Sequence, residues 1–127
     1  MQKIIALILF TLFSNISFSQ SAKIEFSAKE NTIDYGKVRK ASDSGVRVFE
    51  FTNTGDSPLL ITDVLSTSGF TIMTKPESPI QPGKKGKIEV KYNMATGPIR
   101  KTITVETNAA NYEGGRIALK IKGEVTE

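Results

Sequence analysis

An all-β fold of two antiparallel sheets packed face to face is what this sequence predicts, on three observations. Apolar residues recur at a spacing of two through one short run after another, the period of a half-buried strand. Clusters of Gly, Pro, Asn, Asp and Ser divide these runs at intervals of about ten residues, as turns do in sandwiches. No segment keeps the period of an amphipathic helix over three turns, so helix is expected to be nearly absent.

The chain opens with MQKIIALILFTLFSNISFS, in which one cation, Lys3, precedes an apolar run from Ile4 to Phe13. This is the layout of a secretory signal peptide over 1–19, with Ser17 and Ser19 as the small residues before a cut at Gln20. A run of about ten residues is too short to cross a bilayer as a helix, which takes about 20. No cysteine follows it, so lipid attachment is not expected. The mature chain, 20–127, is expected to be one exported domain without a transmembrane segment, periplasmic or extracellular and not a lipoprotein.

The strands follow in order. Ile24 and Phe26, then Ile33 and Tyr35, open the alternation. VRVFEFTN carries Val46 and Val48, then Phe49 and Phe51; that slip of one position predicts a bulge at Val48-Phe49 or a strand covered on both sides. Leu59 and Ile61 face one way in PLLITDVLS, with Leu60 and Val64 facing the other. Ile88, Val90 and Tyr92 give the cleanest alternation, followed by Ile103 and Val105, then Ile117, Leu119 and Ile121. Between the runs stand Ser42 to Gly45, Asn53-Thr54-Gly55-Asp56, Pro82-Gly83, Thr96-Gly97-Pro98 and Glu113-Gly114-Gly115, each with turn chemistry. Seven or eight such strands fit an Ig-like sandwich, and the interior is expected to be purely apolar.

The Asn53 to Asp56 knot is expected to be a corner. Asn and Asp side chains bond nearby backbone groups, and Gly55 tolerates a tight reversal.

Composition removes most chemistry. The chain has no histidine and no cysteine, so the commonest base, the best nucleophile and the main transition-metal ligands are missing. Disulfides are excluded, and the core must hold by packing. A net charge of +4 is too small for a nucleic-acid footprint. Serine and lysine could pair among Ser66, Ser68 and Lys75, but both types are ordinary in exposed loops. No catalytic residue, metal ligand or cofactor-binding residue is assigned. Four residues remain as binding candidates: Tyr112 on the polar loop NAANYEGG, Phe70 after Ser68-Gly69, and Lys84 with Lys85 in a basic patch beside Pro82-Gly83.

One order of features extends over nearly all of 20–127. Tyr35-Gly36 is followed by Phe-x-Phe-x-Asn-Thr-Gly from Phe49 to Gly55 and Leu-x-Ile at Leu59 and Ile61. Pro79 to Tyr92 reads Pro-Ile-x-Pro-Gly-x-x-Gly-x-Ile-x-Val-x-Tyr, and the series ends with Lys101 to Asn108 and with Leu-x-Ile-x-Gly from Leu119 to Gly123. This resembles the exported Ig-like bacterial family known as domain of unknown function 1573, similar in turn to Hydin-type and major-sperm-protein-like sandwiches. Relatives in that family commonly carry a Cys-Gly-Cys segment; here Ser68 and Phe70 stand in the cysteine positions, so no thiol or metal role carries over. The resemblance implies the fold and the exported location. The functional expectation is a non-enzymatic binding or structural module of the bacterial envelope whose partner is another envelope protein or a glycan. The alternative is a small-ligand or glycan carrier, using Tyr112 and the loops around Phe70 and Pro98 at one end of the sandwich.

Overall fold

The computed structural model describes residues 20–127, and the signal peptide expected over 1–19 lies outside them. Eight strands form two four-stranded sheets packed face to face. They are β1 (Ile24–Phe26), β2 (Thr32–Arg39), β3 (Val46–Asn53), β4 (Ile61–Leu65), β5 (Phe70–Thr74), β6 (Lys85–Tyr92), β7 (Gly97–Thr107) and β8 (Arg116–Thr126). The first sheet has the order β1-β3-β6-β5 and the second β2-β8-β7-β4. Helix among the described residues is confined to two short 3-10 turns, Lys29–Asn31 and Glu113–Gly115. No helix among them is long and apolar enough to cross a membrane.

The inward side chains come from alternate positions, as the pleat requires. Ile24, Phe49, Phe51, Ile88 and Val90 of the first sheet meet Ile103, Val105, Ile117, Leu119 and Ile121 of the second, all almost completely buried. Leu59, just before β4, bridges to Ile80 and is equally buried.

Several expectations are corrected. The sandwich is not wholly antiparallel, because β2 pairs with β8 in parallel. The 3-10 turn at Lys29–Asn31 moves the chain from the first sheet to the second without reversing it, so β2 continues in the direction of β1. No bulge interrupts β3, which pairs with β6 in unbroken register from Val46 to Thr52. Val48 points outward and is 43% exposed, and Arg47 takes the inward position instead. The register break lies in β4, between Ile61 and Asp63, which turns Val64 into the core. Phe70–Thr74 forms a strand, β5, that was not expected, directly after the turn at Ser68-Gly69. β7 begins at Gly97, inside a segment expected to be a turn. The interior is not purely apolar, since Asn53 and Thr107 are buried in it.

Candidate functional site

The two ends of the sandwich are built from different side chains. At one end Asn53 closes β3 and is fully buried. Its Nδ2 donates to the carbonyls of Ser57 and Ile80, both at 2.8 Å, and its Oδ1 accepts from the Gly55 N–H at 2.9 Å. Its backbone N–H donates to the Lys84 carbonyl at 2.9 Å, and its carbonyl accepts from the Gly83 N–H at 2.8 Å. Both amide protons are used inside the protein, so Asn53 has none to offer a ligand. Gly55 is required beside it because a Cβ there would collide with the backbone of Ser21 and Lys23. The knot is a corner that ties β3 to the 57–60 and 80–84 segments.

At the other end Tyr35 sits between the sheets, 5% exposed. Its hydroxyl donates to the Gly45 carbonyl at 2.6 Å, and its ring lies 6.4 Å from that of Phe70 and 6.3 Å from that of Tyr92. The Arg47 guanidinium stands 4.0 Å over the Tyr35 ring, a cation–π contact. The same guanidinium grips Asp43 with both branches, at 3.1 Å and 2.9 Å. Burial pushes the Tyr35 hydroxyl up to about 12, against the opposing pull of Arg47. The hydrogen bond from Arg47, helped by the Gly45 N–H, holds the Asp43 carboxyl below its ordinary value. The same pairing raises Arg47. This group is a neutral phenol locked under an ion pair, which is a structural device and a poor proton acceptor.

The four binding candidates fall at opposite ends. Phe70 is 8% exposed and forms part of the aromatic cluster around Tyr35. Tyr112 lies beyond the far end of β7, partly buried against the core, where its hydroxyl accepts from Asn31 Nδ2 at 3.1 Å. Lys84 and Lys85 share Tyr112's end, with the Lys85 amine 3.8 Å from Glu50. β7 runs 11 residues from the Pro98 end to the Tyr112 end, about 35 Å at strand rise. One small ligand cannot touch Tyr112 and the Phe70 and Pro98 loops together, so the single-ended carrier site is not assembled.

Ser68 has a lysine partner that sequence spacing did not indicate. The Lys101 amine donates to Ser68 Oγ at 2.8 Å, while Lys75 approaches Asp63 at 3.9 Å. The Ser68–Lys101 contact is open to solvent, without the enclosure that turns a lysine into a base for serine. Among the described residues no three acidic side chains gather into a group that could hold a metal ion. An open groove of about 640 Å³ lies between β4 and β5, lined by Val64, Ile72, Met73, Lys75 and Glu77.

One backbone feature was also missed. β4 covers β7 only from Thr104 to Thr107, so Gly97–Ile103 is paired with β8 alone. A readable signal was present: Lys101 interrupts the alternation of Ile99 and Ile103 on the buried face.

Comparison with solved structures places this sandwich among Ig-like domains. A protein of unknown function from Porphyromonas gingivalis W83 aligns with a TM-score of 0.65 and 19% identity over 84% of this chain and 48% of its own. The Vibrio cholerae VesB protease aligns at 0.59 with 14% identity, over 91% of this chain and 35% of the protease. The periplasmic chaperone SfaE aligns at 0.52 with 15% identity, over 80% and 56%. The chain thus spans about half or less of the first two, and at these identities the likeness is one of fold. No curated protein matches the sequence. The model of the family described as protein of unknown function (DUF1573) matches residues 24–125, and the chain belongs to that family.

Proposed function

We propose that this domain is a non-enzymatic binding module of the bacterial cell envelope that engages another envelope protein after export. The observation that carries this reading is the unpaired run Gly97–Ile103 of β7, a ready place for a partner's backbone. The fold is one that the periplasmic chaperone SfaE also uses, a precedent for a binding role in that compartment. Export is supported by the Lys3 cation and the apolar run Ile4 to Phe13. Chemistry is disfavoured by a composition without histidine or cysteine and by the exposure of the Ser68–Lys101 contact.

The test is crosslinking in intact cells followed by mass spectrometry of the captured material. The expected result is a discrete envelope protein recovered across salt conditions. Recovery of background alone would overturn the reading. So would substrate turnover by the purified protein that disappears in Ser68→Ala.

A further inference from the structure

We propose that the Gly97–Ile103 half of β7 is a docking edge for an extended acidic segment of a partner protein. The proposal rests on the binding-module reading and adds where the partner lies and what side chains it carries.

β7 pairs with β8 without a break from Gly97 to Glu106, but β4 stops opposite Thr104. Among the described residues, nothing else is hydrogen-bonded to the backbone of Gly97–Ile103. Seven residues of regular ladder, about 23 Å long, therefore face outward on one side.

The other edges are shorter or blocked. β1 is three residues long, and the Asn111 side chain both donates to and accepts from the Ile24 backbone, at 2.9 and 3.1 Å. β2 breaks register between Asp34 and Lys37, β4 between Ile61 and Asp63, and β5 between Ile72 and Thr74. With the Glu50 carbonyl taken by the Ser27 N–H, the half-covered strands β3, β6 and β8 leave at most four residues each, at Val46–Phe49, Lys85–Ile88 and Arg116–Leu119. A long regular row of open N–H and C=O groups is the template on which a further strand adds.

Charge selects the occupant. Arg100 and Thr102 face outward on this run, directly opposite Lys122 and Lys120 of β8. Lys101 holds the inward position between Ile99, 1% exposed, and Ile103, fully buried, and its amine donates to Ser68 Oγ in an exposed contact. Among the described residues the four ion pairs use Arg47, Lys75, Lys85 and Arg116. Arg100, Lys101, Lys120 and Lys122 have no such partner. A second copy docking by the same edge would set these cations against one another, which is unfavourable for charges directly opposed across a strand pair. The fitting occupant carries carboxylates beside Arg100 and Lys101, with apolar side chains two positions either side of the inward one. Pro98 and Lys101 discourage unselective pairing, so edge and guard together make a selective site.

The test uses the purified protein and two synthetic peptides, Thr-Val-Glu-Glu-Thr-Val-Thr and Thr-Val-Lys-Lys-Thr-Val-Thr, with residue-resolved amide hydrogen exchange. The glutamate peptide at saturation should slow exchange about tenfold on the open side of Gly97 and Ile99–Ile103, and the lysine peptide should not. Lys101→Glu, or the change at the exposed Arg100, Arg100→Glu, if the first fails to fold, should abolish protection by the glutamate peptide. Equal protection by both peptides, no protection by either, or an unaltered response in the folded variant would overturn the proposal. Protection that falls on β5 or the end loops would also overturn it while leaving the binding-module reading intact, because that reading fails separately, through empty crosslinking.

Discussion

At the Asn53 end one buried amide holds two loop segments by directed hydrogen bonds, whereas at the Tyr35 end aromatic rings pack edge to face beneath a guanidinium and the adjoining half of β7 stays open. Hydrogen bonds to buried carbonyls fix position and direction, and losing one partner strands the other. Ring stacking is less directional and fills volume. The first arrangement locks loops; the second closes the interior while leaving a backbone edge available beside it. Four changes test that contrast, from the largest expected effect to the smallest.

Asn53→Ala removes the amide donors to the part-buried carbonyls of Ser57 and Ile80 and the acceptor of the Gly55 N–H, leaving Ile80 only the Leu59 N–H. The expected loss is about 3–5 kcal/mol, measured from the denaturant midpoint. A loss below about 1 kcal/mol would show that water replaces the amide and that the corner is not locked. Phe70→Ala opens the stack at the other end, where the ring lies 4.7 Å from that of Tyr92. About 3 kcal/mol is expected, with the amides near Asn53 keeping their hydrogen-exchange protection if the two ends are independent.

Tyr35→Phe separates the hydroxyl from the ring. At neutral pH it should cost about 1 kcal/mol, the worth of the bond to Gly45. The alkaline limb is more informative. The phenol ionises near 10 when unfolded and at about 12 when folded, so between these values the unfolded chain releases a proton that the folded chain keeps. Stability then falls as pH rises, by roughly 2–3 kcal/mol once both values are passed. Tyr35→Phe should flatten this limb relative to the parent in unfolding curves taken from pH 9 upward.

Asp43→Asn is the mildest change. The folded carboxyl is held below its ordinary value, so its contribution is complete above about pH 4 and fades as pH falls through the folded value. A cost of about 0.5–1 kcal/mol is expected at neutral pH, vanishing in acid. Thermal melts at the two pH values check it, and an equal cost at both would mean that the ion pair with Arg47 is not what Asp43 contributes.

The faces of β6, the Val105 part of β7 and β8 were legible in the sequence because apolar side chains recur at their inward positions, Ile88, Val90 and Tyr92, Ile103 and Val105, and Ile117, Leu119 and Ile121. What sequence reasoning missed follows from side chains that break the apolar code for reasons of tertiary structure. Arg47 faces inward because Tyr35 and Asp43 receive it, and the two outward valines beside it then imitate a bulge. Lys101 faces inward because its neighbour strand is missing, which spacing alone cannot reveal. β5 was hidden because its Thr71 and Met73 face solvent, with Met73 53% exposed, and because Ser68-Gly69 before it resembles the middle of a loop. The corner at Asn53 was legible from turn chemistry, though its burial was not. Tyr112 and Phe70 were chosen by loop position and Lys84 with Lys85 as a basic patch, and neither signal tells which end of a sandwich a residue occupies.

The parallel pairing of β2 with β8 joins residues as far apart as Val38 and Thr126, 88 positions along the chain. Such distant partners must find each other late, and topologies rich in them fold slowly. A nascent polypeptide would thus hold β2 unmatched until the residues of β8 have emerged. A break upstream of Lys120 would leave β2 without the strand it pairs with, and the second sheet without a border.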